Sequence, residues 1–208
     1  MKINKLPEKL EATAFAMMNI NDKLVLGGSC VLHILGFMNR EPHDLDFSLT
    51  KSLTESEFHH LVNFFNFDVN RDTKDYKQEY DPKTGNVLTT EIKYTTAELL
   101  EKNLIQLEKR TTTDHPELTF IDFKIDIFNQ KRITKENIMV VDYEGLKLKI
   151  AHPSYIIAAK AKYAFDPRVG ASYKHMGDLK ELMAEPRLTE YFKTTRKLNQ
   201  ISDTEINF

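Results

Sequence analysis

Leu24 to Leu49 reads LVLGGSCVLHILGFMNREPHDLDFSL, and the order of residue types in this stretch decides the fold. Lys23-Leu24-Val25-Leu26 is a short apolar strand that runs into Gly27-Gly28-Ser29. Val31, Leu32, Ile34 and Leu35 then predict a buried helix, with Gly36 placed to end it. A polar turn, Asn39-Arg40-Glu41-Pro42, leads into a second strand with clear alternation. Leu45, Phe47 and Leu49 face one side, and Asp44, Asp46 and Ser48 face the other.

Each half of this stretch has a chemical reading. Glycine lets backbone approach a ligand closely, and the free N–H groups at a helix start favour an anion such as phosphate. The Ser29 hydroxyl can add a hydrogen bond to that anion, although a Gly-Gly pair before a helix is also simply a turn. Asp44 and Asp46, two residues apart on a strand, place both carboxylates on one face. Such a pair stays ionised poorly without a counter-cation, and its hard oxygens suit Mg²⁺. Two such ions about 4 Å apart can clamp an in-line phosphoryl displacement. A solvated strand face is the plainer alternative.

Working outward, Leu6, Leu10, Ala14, Met17 and Met18 form the stripe of an amphipathic helix over 6–20, with Pro7 in its first turn. Thr54 and Glu57 form a capping-box pattern that opens a helix through about Phe65. From 67 to 130 the pattern turns β-like. Asp81-Pro82-Lys83-Thr84-Gly85 is a turn signal between two extended segments, which predicts a hairpin. Leu104 to Thr112 fits helix or strand, with strand preferred. Leu118 to Phe128 is a strand with Ile121, Phe123, Ile125 and Ile127 on one face and Asp122, Lys124 and Asp126 on the other. An acidic residue inside so apolar a strand needs a reason: an open wet face, or a face lining a site. Asp122 and Asp126 lie about 13 Å apart along such a strand, so only one of them can join a given metal pair. Beyond 150 the pattern is helical again, over Pro153–Phe165, Tyr173–Met183 and about 188–198. The expected organisation is an α/β domain over 1–150 and a helical C-terminal region over 151–208.

Composition bounds the function classes. The chain has 208 residues, with 29 Lys+Arg against 31 Asp+Glu. A formal charge of −2 excludes a nucleic-acid binder that works by net charge alone. With 41% hydrophobic residues a packed core is expected. One cysteine excludes a disulfide framework within the chain and any Cys-based structural zinc site, and Cys30 reads as a small core residue. The seven histidines show no ligand spacing. No apolar run approaches the roughly 18 residues of a membrane span. The first residues lack the features of a signal peptide. A soluble, cytoplasmic protein is the expectation.

Gly-Gly-Ser at a helix start, Asp-x-Asp on the next strand and a later strand aspartate resemble the polymerase-β-like nucleotidyltransferase superfamily. Gly27, Gly28, Ser29, Asp44, Asp46 and Asp126 fill the places of its signature. Residues 27–47 are most similar to the AbiE-type (abortive-infection) toxin nucleotidyltransferases, with their Gly-Gly-Thr/Ser helix, basic turn and Asp-hydrophobic-Asp-Phe run. In the tail, Ile156-Ile157-Ala158-Ala159-Lys160-Ala161-Lys162 and Lys174-His175-Met176-Gly177-Asp178-Leu179 resemble two further helices of that family. His175 departs from it, since the family more often has Asp there. The likeness is strong over 24–50 and loose over 120–182; residues 67–118 match nothing in it.

The resemblance implies an α+β fold, a nucleotidyltransferase-type mixed β-sheet flanked by helices. It also implies transfer of a nucleoside monophosphate from a nucleoside triphosphate (ATP or GTP among the candidates) to an acceptor hydroxyl. Asp44, Asp46 and Asp126, or Asp122 in place of the last, would be the catalytic carboxylates and hold two Mg²⁺ ions. Gly27, Gly28, Ser29, Lys160 and Lys174 would bind the nucleotide. The acceptor implied is RNA, including a tRNA 3′ end, and the toxin likeness implies a cognate antitoxin as partner; a protein hydroxyl or a small molecule is equally compatible with the residues. A catalytically silent nucleotide-binding regulatory module on the same fold is the alternative.

Overall fold

The computed structural model describes residues 3–112, 119–129, 132–165 and 172–188. Its centre is the stretch read first. β1 (Leu24–Leu26), α2 (Gly28–Ile34) and β2 (Leu45–Leu49) follow α1 (Glu8–Ile20), and every residue of β1 is buried. α1 sets Leu10, Ala14 and Met17 into the core, as its stripe predicts, with Pro7 one place earlier than expected, at the N-cap. β1 runs antiparallel to β2, with Leu24 opposite Leu49 and Leu26 opposite Phe47.

α3 (Glu55–Phe65) opens with the expected capping box: Thr54 accepts from the Glu57 N–H, and the Glu57 side chain accepts from the Thr54 N–H. β3 (Asp68–Val69) is a two-residue edge. The hairpin of β4 (Asp72–Tyr80) and β5 (Val87–Lys93) forms a separate two-stranded sheet around the Asp81–Gly85 turn. α4 (Thr96–Leu100) was not anticipated, although Thr95 and Glu98 carry the same capping pattern. β6 (Leu104–Thr112) settles as a strand, antiparallel to β7 (Thr119–Phe128). A second hairpin, for which the sequence pattern predicts no element, forms from β8 (Ile138–Tyr143) and β9 (Leu146–Ala151). Its turn residues, Glu144 and Gly145, both have positive φ, 52° and 85°.

The main sheet has seven strands in the order β3-β6-β7-β2-β1-β9-β8. β2 is parallel to β7 and β1 is parallel to β9, so the sheet is mixed. α5 (Pro153–Phe165) begins two residues after β9, and α6 (Ser172–Met183) packs on α5. Buried Ile156 and Ile157 of α5 and Leu179 and Leu182 of α6 belong to the same apolar core as the sheet. A single 3-10 turn covers Pro186–Leu188, and the rest of the helix expected over about 188–198 lies outside the described residues. One face assignment in β7 changes. Ile121, expected on the buried face, is 45% exposed, because the first part of β7 runs past the core, paired only with β6 and beyond a bulge at Lys109/Arg110. Among the described residues no helix is long and apolar enough to cross a membrane.

Candidate active site

The site forms where the ends of β1, β2 and β7 meet the start of α2. Gly27 donates its N–H to the Asp46 carbonyl at 2.8 Å, which ties the end of β1 to β2. Gly28 has φ +57°, the left-handed region that side chains other than glycine adopt at a cost. A Cβ at Gly28 would lie 1.6 Å from Asp46 Oδ2, so the Asp46 carboxylate rests directly on the glycine backbone. Gly28 is therefore needed twice, for its conformation and for the room it leaves. Gly28→Ala should destabilise the fold by about 1–3 kcal/mol and displace Asp46. The check is thermal unfolding together with nucleotide transfer; a variant with wild-type stability would mean that Asp46 has another place to go.

Asp46 and Asp126 are register partners on parallel neighbouring strands. Adjacent strands lie about 4.8 Å apart, so the two carboxylates leave the sheet side by side. Asp44 stands one residue before β2 begins, where its carbonyl accepts from the Cys30 thiol at 3.2 Å. Gln106 of β6 donates its side-chain amide to Asp126 Oδ1 at 3.2 Å. Burial, strengthened by the charges of Asp126 and Asp44 and opposed by Lys160 and Lys174, pushes the Asp46 carboxyl up to about 6. Burial raises Asp126 as well, with Gln106 pulling the other way and Asp44 adding to the rise. Both shifts run in the direction that a nearby cation would reverse.

Asp122 sits elsewhere. It is exposed on β7 and bonds Lys9 Nζ at 2.8 Å and the Thr111 hydroxyl at 2.9 Å; the Lys9 bond, then the Thr111 bond, lowers its carboxyl. Its neutralising partner is Lys9, brought over by α1, and not its strand neighbour Lys124. Lys124 instead acts on Asp126, lowering its carboxyl through its charge.

The expected cations split. Lys160 of α5 is buried and donates to Asp178 Oδ2 at 2.5 Å; Lys174 of α6 is exposed, and both charges act on Asp46. Lys162 is exposed. Arg40, read only as part of a polar turn, reaches Asp178 with a two-pronged contact of 3.0–3.1 Å. No spacing signal joins positions 138 residues apart, so this contact had no trace in the sequence. His175 stacks at a tilt on Tyr163, 5.6 Å between ring centres, and its buried Nδ1 has no hydrogen-bond partner among the described residues. Burial, then the Lys160 charge, holds its imidazole below the usual range.

The donor set here is three carboxylates, the hard-oxygen chemistry that Mg²⁺ takes. Among the described residues no three His, Cys, Asp or Glu side chains are already drawn together into a metal cage. Like charges without a cation repel. The donor chemistry of Asp44, Asp46 and Asp126 fits such an ion, with Asp46 and Asp126 in register on neighbouring strands.

No protein-family model matches the chain, and no curated protein matches it. Solved structures do. A structure from H. pylori, described provisionally as a nucleotidyltransferase, is similar over 97% of this chain and 81% of its own, at 18% identity and a TM-score of 0.50. JHP933 from Helicobacter pylori is similar over 84% of this chain and 66% of its own, at 18% identity and a TM-score of 0.45. An antigenic nucleotidyltransferase-like protein from Paracoccidioides brasiliensis is similar over 96% and 90%, at 10% identity and a TM-score of 0.44. The first of these likenesses establishes the architecture: a nucleotidyltransferase-type fold, a central mixed sheet flanked by helices.

Proposed function

We propose that this protein is a Mg²⁺-dependent nucleotidyltransferase that moves a nucleoside monophosphate from a nucleoside triphosphate to an acceptor hydroxyl. The observation that carries the reading is the in-register pair Asp46–Asp126, with Asp44 two residues away and Gly28 beneath the Asp46 carboxylate. Its finer terms rest on the sequence resemblance alone: RNA, including a tRNA 3′ end, as acceptor, an AbiE-type toxin role and a cognate antitoxin. Asp44, Asp46 and Asp126 would hold Mg²⁺, which when bound supplies charge neutralisation and a lowered pKa at the acceptor hydroxyl. The acceptor oxygen attacks the α-phosphorus, the α–β bridging bond breaks, and pyrophosphate leaves. Asp126, whose proton affinity burial raises, takes the acceptor proton. Gly28 and Ser29 hold the β- and γ-phosphates through backbone N–H groups and the Ser29 hydroxyl. Lys160 and Lys174 offset the charge that develops on the leaving pyrophosphate.

The deciding experiment incubates the protein with Mg²⁺, each labelled nucleoside triphosphate and total RNA. Label in RNA with release of pyrophosphate supports the reading. A second reading, a catalytically silent nucleotide-binding regulatory module, draws support from the absence of a ready metal cage among the described residues. It predicts nucleotide binding with no pyrophosphate released to RNA, protein or small-molecule acceptors.

Ser29 offers a finer check. Among the described residues its hydroxyl bonds to no protein group, so it is free for a ligand. A hydroxyl on a phosphate that is held in both ground and transition states acts mainly on binding. Ser29→Ala should raise KM for the triphosphate by roughly tenfold, the equivalent of one charge-assisted hydrogen bond. An unchanged KM with a large fall in kcat would give Ser29 a different role.

A further inference from the structure

Asp178 has no part in the reaction just described, yet it is the anchor of the charge around it. The residue is 4% exposed. Oδ1 accepts from Arg40 Nε at 3.1 Å and Nη2 at 3.0 Å; Oδ2 accepts from Arg40 Nη2 at 3.0 Å and Lys160 Nζ at 2.5 Å. A carboxylate has about four acceptor positions, and all are filled here, which leaves none for a metal or a substrate. The contacts join three elements: the turn before β2, α5 and α6.

The charge balance of this cluster points outward. Two cations against one anion leave a net positive charge in a largely buried place, a costly arrangement unless another anion stands near. Arg40 stands four residues before Asp44, in the turn that leads into β2, so the cluster borders the segment that carries the aspartates. Arg40 is about one-third exposed, and among the described residues its Nη1 donates to no protein group. Its backbone is held too, by the contact of its carbonyl with His33 Nδ1 at 3.0 Å.

We propose that Asp178 is a positioning residue: it sets the Arg40 guanidinium and the Lys160 ammonium as a paired anchor for the pyrophosphate portion of the nucleotide, and touches neither metal nor substrate itself. This deepens the nucleotidyltransferase reading and rests on it for the identity of the ligand. Arg40 supplies planar donors and Lys160 a point charge, so the two are not interchangeable with each other. The competing account is that Asp178 merely staples α6 to α5 and to the turn, and would cost stability but not binding when changed.

Calorimetric titration of the whole chain with Mg²⁺-pyrophosphate separates the two accounts without requiring turnover. The wild type should bind, and Lys160→Met and Asp178→Asn should each weaken binding about tenfold or more, the scale of a lost charge-assisted contact. In the Lys160→Met background, Asp178→Asn should still weaken binding, but by clearly less than in the wild type, because only its hold on Arg40 remains to be lost. Asp178→Glu retains the charge and the fold while moving the carboxylate by one methylene, and should weaken binding about fivefold with little change in melting temperature. That variant keeps the test alive if Asp178→Asn does not fold. Wild-type affinity in Asp178→Glu or Asp178→Asn, fully additive losses in the double variant, or no pyrophosphate binding by the wild type would each overturn the proposal. Binding with the predicted coupling but no nucleotide transfer would leave the anchor standing and remove the transferase reading.

Discussion

Asp46→Asn should abolish nucleotide transfer and, without Mg²⁺, raise the melting temperature. The reason is the sign of the charge effect at this residue. Most folded aspartates sit below their unfolded value, but burial and two neighbouring carboxylates push Asp46 from 3.8 up to about 6. At neutral pH the metal-free fold therefore carries an ionised group it disfavours, at a cost of about 3 kcal/mol on the usual conversion. A group raised on folding stabilises the fold fully below the unfolded value, and that contribution is lost as pH climbs through the folded one. The metal-free protein should lose stability between about 4 and about 6 and then level off, and the Asn variant should show much less of this loss. Because Asn removes the charge but not the burial, a rise of about 2–6 °C is expected. Mg²⁺ should stabilise the wild type increasingly across the same pH range and stabilise the variant little, since a metal needs the carboxylate. Thermal unfolding with and without Mg²⁺, alongside a labelled-nucleotide assay, reads all of this. Transfer at the wild-type rate by Asp46→Asn, or by Asp44→Asn, would remove the metal-site assignment.

The second large effect separates two aspartates of one strand. Asp126→Ala should eliminate transfer and Mg²⁺-linked stabilisation, because Asp126 stands beside Asp46 in the β2–β7 register. Asp122→Ala should leave both within about threefold of wild type, since an exposed ion pair contributes little. Its only expected trace is a small loss of stability, about 0.2–1 kcal/mol, from the released Lys9 contact. The reverse pattern would make Asp122 the third carboxylate. Survival of transfer in both variants would return the site to a non-catalytic role.

Local chemistry left clear marks in the sequence. Thr54 and Glu57 marked the start of α3, Asp81 to Gly85 marked the hairpin turn, and the alternation from Leu45 to Leu49 marked β2. The β8–β9 hairpin was equally open to reading, because Leu146, Leu148 and Ile150 alternate after Glu144-Gly145. It was missed for want of a familiar turn dipeptide. α4 had its capping pair at Thr95 and Glu98 but only five residues, too few for a period to show.

The sequence by itself determined the strand, the two glycines, the helix and the Asp-x-Asp strand, since each depends on side chains a few residues apart and on backbone preferences that act locally. It also narrowed the candidates for a third carboxylate to two aspartates of β7. What it could not decide was which cross-strand partner and which ion pair each charge would find. The parallel register sets Asp126 against Asp46, α1 carries Lys9 to Asp122, and α5 and α6 bring Lys160 and Asp178 to Arg40. Those meetings follow from the packing of distant elements around one core. Electrostatic energy depends on separation in space and on burial, neither of which is a property of position along the chain.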